Sequence, residues 1–295
     1  MRIGLLRRYT HDLPDYLRET GFTCAEIEFR AGDPLDPEVA SFDDVQAAFD
    51  RLAANGVRVS SLASYENLLD PDPAKADAAT RRLRKVIQWA PKLGIEVIGI
   101  MAGRDPGMPL MANIAPFKKA FTPIVREAEE LGLKLAIENC PKFHAFPFRG
   151  SNIGYSVEAF DAIFDAVPSK SLGIEYDPSH PIMMFMDYLD WIYRYADRIF
   201  HVHAKDAEVV WREIKTNGIY ADKAFRYQLP GLGDVEWGRF ISALIEIGYR
   251  GDIDIEGRHD PVYMGELETA GLLLAKKHLE QFIPAESAVL VAQPV

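Results

Sequence analysis

Short apolar runs alternate with longer amphipathic stretches along nearly the whole chain, and this alternation restricts the architecture more than any other feature. Strand-like runs fall at Arg2–Leu6, Cys24–Phe29, Val57–Leu62, Ile95–Ile100, Leu133–Glu138, Leu172–Asp177, Arg198–His203 and Asp252–Glu256. Helix-like periodicity follows each of them, at Leu13–Glu19, Asp43–Asn55, Ala74–Lys92, Ile114–Leu131, Val157–Ala166, Ile182–Tyr195, Val235–Ile247 and Tyr263–Phe282. A period near 3.6 marks the helices and compact apolar runs mark the buried strands. Gly21, Gly56, Gly94, Gly132 and Gly248 stand between a helix and the next strand, where a left-handed residue ends a helix without a Cβ penalty.

Eight such units in about 280 residues predict a closed (β/α)8 TIM barrel. An open doubly wound sheet usually has fewer strands and a glycine-rich first turn, and no GxGxxG opens this chain. We expect one domain over residues 1–283, with 284–295 as a tail. A chain of 295 residues buries roughly 75% of the surface its unfolded form exposes, so a metal would serve chemistry rather than folding.

Composition narrows the partners. There are 44 acidic and 33 basic residues, a formal charge of -11, and no long Lys/Arg run to neutralise phosphates, which argues against nucleic acid. Cys24 and Cys140 are too few and too far apart for a disulfide framework or a CxxC clip. The opening MRIGLLRRYTHD lacks the apolar core of a signal peptide and no run can span a bilayer. The expectation is a cytoplasmic protein with a small-molecule partner, no membrane partner, and homo-oligomerisation left open.

Barrel enzymes gather their chemistry at the C-terminal ends of the strands. Here the last four strands end in Glu138, Asp177, His203 and Glu256. Side chains alternate across a strand, so Ile137, Phe200, Val202, Ile253 and Ile255 take the helix-facing side and these polar groups face the barrel mouth. Three carboxylates and an imidazole at one mouth call for a divalent cation. Oxygen-rich ligation favours Mn2+, Mg2+ or Co2+, with Zn2+ or iron not excluded. Salt bridges within the mouth are the bland alternative.

The segments DPSH (177–180), HVHAKD (201–206), PGLGDVEW (230–237) and GYRGDIDIE (248–256) together resemble the sugar phosphate isomerase/epimerase group of xylose-isomerase-like barrels, which includes ketose 3-epimerases, hydroxypyruvate isomerases and inosose dehydratases. The resemblance covers nearly the whole chain and implies that Glu138, Asp177, His203 and Glu256 are metal ligands and that His180 binds substrate. Epimerases of this group carry an arginine shortly after the first glutamate; here Glu138 is followed by NCPKFHAFPFRG, without a direct match. Lys142, His144 and Arg149 are polar candidates there, with a solvated loop as the alternative.

Lys205 shares the face of His203 and is a candidate for a carbonyl, an acid or a neighbouring carboxylate. His201 lies one layer deeper, where a supporting hydrogen bond is expected, and Asp254 lies beneath Glu256. Arg258 and His259 follow the last strand, as substrate contacts or surface residues. The roughly thirty residues from Ala204 to Asp234 exceed the usual two to six of a βα connection. They carry Trp211, Tyr220, Phe225 and Tyr227, suited to covering a sugar or to a dimer contact. Tyr65, Glu66 and Arg104 are weaker candidates for the mouth.

These residues predict a divalent-metal-dependent isomerase or epimerase of a ketose or related sugar. Glu138 and Glu256 are the two bases for proton abstraction beside a carbonyl, giving an enediolate. Return of the proton on the opposite face epimerises; return to the neighbouring carbon isomerises. A leaving group β to the carbonyl would make the same chemistry a dehydratase or lyase on a keto-sugar or keto-glycoside, C-glycosides included. A multi-zinc DNA endonuclease fits the acidic charge poorly, and a non-catalytic sugar-binding barrel is the third class. No glycine-rich phosphate cradle is visible, which favours a free sugar or derivative.

Overall fold

The computed structural model describes residues 1–142 and 150–284. Eight parallel strands close into a barrel: β1 (Ile3–Arg8), β2 (Cys24–Glu28), β3 (Arg58–Ser64), β4 (Val97–Ile100), β5 (Lys134–Glu138), β6 (Leu172–Tyr176), β7 (Ile199–Ala204) and, after an inserted hairpin, β10 (Ile253–Ile255). The hairpin is β8 (Asp206–Val209) and β9 (Phe225–Gln228), paired antiparallel. Each barrel strand lies beside its neighbours in sequence, and β10 closes onto β1 through Ile3–Ile253, Gly4–Asp254 and Leu5–Ile255. The open-sheet alternative is thereby excluded.

The outer helices are α1 (Leu13–Thr20), α2 (Phe42–Ala54), α3 (Pro73–Trp89), α4 (Ile114–Glu130), α5 (Val157–Ala166), α6 (Ser179–Met183), α7 (Tyr188–Arg194), α9 (Trp237–Glu246) and α10 (Glu268–Glu280), with α8 (Trp211–Asn217) inside the hairpin. Ser41 starts α2 with a reciprocal capping box to Asp44. All five junction glycines have positive φ. Apolar side chains from helices and strands fill the layer between them: Tyr176 of β6 stacks between Trp191 of α7 and Phe240 of α9, while Phe117 and Phe121 of α4 are fully buried. Each such side chain contributes about 1.5–3 kcal/mol by leaving water.

Three expectations need correction. The helix predicted over Ile182–Tyr195 is broken into α6 and α7 by Phe185, whose φ is 58°. Asp187 then restarts the helix, its carboxylate accepting from the Leu189 and Asp190 amides. The segment after Ala204 is not an irregular loop either, because the β8–β9 hairpin and α8 organise it. Its strands are short and β9 is half exposed, which leaves little apolar pattern to read. The last helix begins later than expected, with a 3-10 turn at Gly265–Leu267 preceding α10. The tail expected over 284–295 lies, apart from residue 284, outside the described residues.

The inside of the barrel is unusual in its chemistry. TIM-barrel interiors are dominated by bulky branched residues, whereas this one holds Glu26, Ser61, Glu175, His201 and Asp254, all buried. Two glycines make the room. A Cβ on Gly4 would lie 2.1 Å from Asp254 Oδ1, and one on Gly99 would lie 2.5 Å from Glu175 Oε1.

Candidate metal and active site

At the C-terminal mouth, donor atoms of Glu138, Asp177, His203 and Glu256 lie within 4.8 Å of one another. Local sequence holds each in place. Ser179 donates its amide (2.8 Å) and hydroxyl (2.6 Å) to Asp177 Oδ1, which turns Oδ2 toward the other ligand-type groups. Asn139 bonds the Asp177 amide and carbonyl, at 2.7 and 2.9 Å, tying the ends of β5 and β6 together. Asn152 donates to the carbonyls of Glu138 (3.0 Å) and Cys140 (2.7 Å) while accepting from the Ala102 amide.

Lys205 reaches between two of the carboxylates, 2.9 Å from Asp177 Oδ2 and 2.5 Å from Glu256 Oε2. His180 Nε2 is 3.2 Å from Asp177 Oδ2 and 3.6 Å from Glu138 Oε1. These ion pairs govern the charges. Burial alone would raise the Glu138 carboxyl, but His180 and His203 outweigh it and hold it at about 2. Burial likewise opposes ionisation of Asp177 and Glu256, yet Lys205 beside both keeps them below the ordinary carboxylate range. Lys205 itself is disfavoured as a buried cation but is pushed up by Asp177 and Glu256. All three carboxylates are therefore anionic.

The donor set fits a divalent cation on two observations. His203 Nδ1 is buried without a hydrogen-bond partner, and it sits 3.5 Å from Glu138 Oε1, facing the carboxylates. Asp177 Oδ2 accepts no aligned hydrogen bond despite its close ion pairs with Lys205 and His180. Buried acceptors left in this state are costly unless something binds them.

The mouth opens into a cavity of about 590 Å³ lined by Tyr65, Glu138, His180, Lys205, Tyr227, Glu256 and Arg258, among others. A larger cavity, about 830 Å³, lies at the opposite end of the barrel among helix-to-strand turns and touches none of the four ligand-type groups, so size does not select the site. In the upper cavity Tyr227 stands 3.4 Å from His180 Nδ1, with the Lys205 ammonium 4.7 Å from its ring centre. Arg258 pairs with Glu28 at 3.1 Å, and His259 lies 3.2 Å from Glu256 Oε1.

Other candidates are sorted by their contacts. Tyr227 is the member of the aromatic set that lines this cavity; Trp211 and Tyr220 are exposed, and Phe225 packs on Phe185. Glu66 borders the cavity while paired with Arg82. Arg104 is buried and donates to the Met108 carbonyl, away from the lining. Lys142 is not a solvated loop residue: it donates to the Tyr65 carbonyl at 3.2 Å and lines the cavity. His144 and Arg149 lie outside the described residues.

Sequence reasoning missed Glu26, Glu175 and the placement of Cys140. Glu26, Glu175, His201 and His203 form a second group of mutually close donors below the first, and Cys140 is grouped with Glu138 and His180. The alternation that selected the strand ends applies to CAEIE and IEYD as well. It puts Glu26 inward between Ala25 and Ile27, and Glu175 inward two residues before Asp177. His201 makes buried contacts one layer below the mouth, 3.0 Å from Asp254 Oδ2 and 3.2 Å from Ser61 Oγ.

The profile of the xylose isomerase-like TIM barrels matches residues 14–280. The chain belongs to that family. An inosose dehydratase of Geobacillus thermodenitrificans (strain NG80-2), a relative of this barrel, is 27% identical over 146 residues, 45% of this chain and 48% of that protein. The chain thus spans about half the length of the curated relatives it matches. Among solved xylose isomerase-like barrels, a D-tagatose 3-epimerase-like protein superposes with a TM-score of 0.71 at 20% identity, covering 96% of this chain and 97% of that one. The IOLI protein with a bound zinc atom does so at 0.68 and 16% identity, covering 96% of both. At these identities the superpositions establish the shared fold. No helix among the described residues is long and apolar enough to cross a membrane.

Proposed function

We propose that this barrel is a divalent-metal-dependent isomerase or epimerase of a ketose or related unphosphorylated sugar. The observation that carries the reading is the convergence of Glu138, Asp177, His203 and Glu256 within 4.8 Å at the mouth of a sugar-sized cavity. These four would hold the cation, most favourably Mn2+, with Mg2+, Co2+ or Zn2+ as substitutes. When bound, such an ion supplies Lewis acidity that polarises a substrate carbonyl and acidifies the neighbouring C–H.

The protein's own groups do the rest. Glu138, ionised and seated at the end of β5, takes the proton; Glu256, at the end of β10, relays one from the Lys205 ammonium 2.5 Å away to another side of the substrate, and solvent returns the Glu138 proton to Lys205 after turnover; the roles exchange for the reverse reaction. Lys205 and His180 place positive charge beside these carboxylates and offer donors to a substrate oxygen as negative charge develops on it. Arg258 and Tyr227 bound the cavity and orient the remainder of the sugar.

A second reading, β-elimination from a keto-sugar or keto-glycoside, is favoured by one contact. His180 Nε2 lies 3.6 Å from Glu138 Oε1, which places a proton donor next to the base, as departure of a hydroxyl or glycosyl group requires. The relatives called inosose dehydratases accord with it.

Both readings require C–H exchange. Metal-loaded protein incubated with ketohexoses and 3-keto-glycosides in heavy water should wash deuterium into the carbon beside the carbonyl, followed by proton NMR. Glu138→Gln and Glu256→Gln should each abolish the exchange, and chelation should do so reversibly; exchange persisting in both variants would remove the assignment of bases. Product mass then separates an isomer, unchanged in mass, from an elimination product that has lost water or an aglycone.

A further inference from the structure

His203 has two ring nitrogens in two different environments, and the difference is what the buried lower cluster supplies. Nδ1 faces the carboxylates of the upper site, 3.5 Å from Glu138 Oε1, and has no hydrogen-bond partner. Nε2 points down into the barrel, where Glu26 Oε2 stands 2.6 Å away. Glu26 is fully buried on β2, across the barrel from β7. Its own place is held from two sides: Tyr65 donates to Glu26 Oε1 at 3.2 Å, and His201 Nε2 lies 3.5 Å from Glu26 Oε2.

We infer that Glu26 is a positioning residue for the metal site: it accepts the Nε2 proton of His203, fixing the tautomer and ring angle in which the Nδ1 lone pair is presented to the cation. An imidazole can donate electrons from one nitrogen only if the proton sits on the other, and a carboxylate at hydrogen-bond distance selects that arrangement and makes the free nitrogen more basic. The Tyr65 hydroxyl is also 2.6 Å from Glu175 Oε2, so its single proton is shared between the two carboxylates and bridges Glu26 to Glu175. In the space left beside Gly99, Glu175 Oε1 stays 3.6 Å from His203 Nε2. The Tyr65 hydroxyl is 3.3 Å from Nε2, but its proton is engaged by the carboxylates, which leaves Glu26, at 2.6 Å, as the group that takes the Nε2 proton. The lower cluster thus acts through His203 and holds no ion of its own.

This inference rests on the proposed upper metal site, and its test keeps the two apart. Full-length protein is stripped with a chelator and titrated with Mn2+, free ion being counted by electron paramagnetic resonance. Wild type should bind one ion per chain, and Glu138→Gln should lose it. Glu26→Gln, which preserves shape but removes the anionic acceptor, should weaken binding about 10–100-fold. It should also alter the nitrogen coupling seen by electron spin echo on bound Mn2+. A residue needed only for folding would lower the thermal midpoint of the metal-free chain and leave that coupling unchanged, and that result would overturn the inference. So would Glu26→Gln affinity within twofold of wild type while Glu138→Gln is impaired. Two ions per chain, one of them lost in Glu26→Gln, would make Glu26 a ligand and also overturn it. Should Glu26→Gln fail to fold, Glu26→Asp, which withdraws the carboxylate by one methylene, must show a smaller loss in the same direction; unchanged affinity there refutes it. A wild type that binds no Mn2+ refutes the upper site itself.

Discussion

Lys205 shows how one side chain can stabilise a site and also compete for it. Its ammonium lies within 2.9 Å of Asp177 and 2.5 Å of Glu256, close to where a cation shared by those carboxylates would sit. In the metal-free protein it is their main counter-charge. Lys205→Met should therefore destabilise the metal-free chain by about 3–5 kcal/mol, the usual cost of removing one partner of a buried pair, as read from urea unfolding. Saturating Mn2+ should narrow that gap, and an equal loss with and without metal would contradict the assignment. Lys205 was accessible to sequence reasoning because it shares the parity of His203. Glu26 and Glu175 obey the same parity, but a glutamate in the middle of a strand is normally a solvent-facing residue. Closure of the barrel, with Gly99 making room for Glu175, is what gives both an inward, buried place.

Among the elements, the β8–β9 hairpin depends on Asp206. Its carboxylate accepts from the amides of Ala207, Gly231 and Val235 and from the Trp237 indole, all at 2.9–3.0 Å. Gly233 packs so closely that a Cβ there would lie 2.4 Å from Asp206 Oδ1. The motifs HVHAKD and PGLGDVEW are thus two halves of one structural knot. Asp206→Ala would leave these donors buried without an acceptor and should cost about 3 kcal/mol or more; urea unfolding measures the loss, and a change below about 0.5 kcal/mol would refute this role. The strand ends could be read from the sequence because a barrel strand buried on both faces is a compact apolar run, against which a polar residue at its end stands out. The hairpin could not, since DAEV and FRYQ are short and FRYQ is half exposed. The break at Phe185 was equally hidden, because it rests on a left-handed residue that is not glycine.

For the whole molecule, acid is the natural probe of so many buried charges. Glu138 is held at about 2 in the folded chain against an ordinary value of 4.5. Because the folded value is the lower one, the stabilisation is complete above about pH 4.5 and is lost as the pH falls through 2. Unfolding free energy of the metal-free protein, measured in urea, should therefore decline progressively below about pH 4.5; a flat profile down to pH 2 would contradict the ion pairing described for this site. The polar barrel centre also bears on how such a chain can change over generations. His201 pairs with Glu26 and Asp254, and Tyr65 links Glu26 to Glu175, around two glycines that cannot gain a methyl group, so replacing one of these with an oily residue strands its neighbours. Drift toward an ordinary greasy centre would therefore need several coordinated substitutions at once.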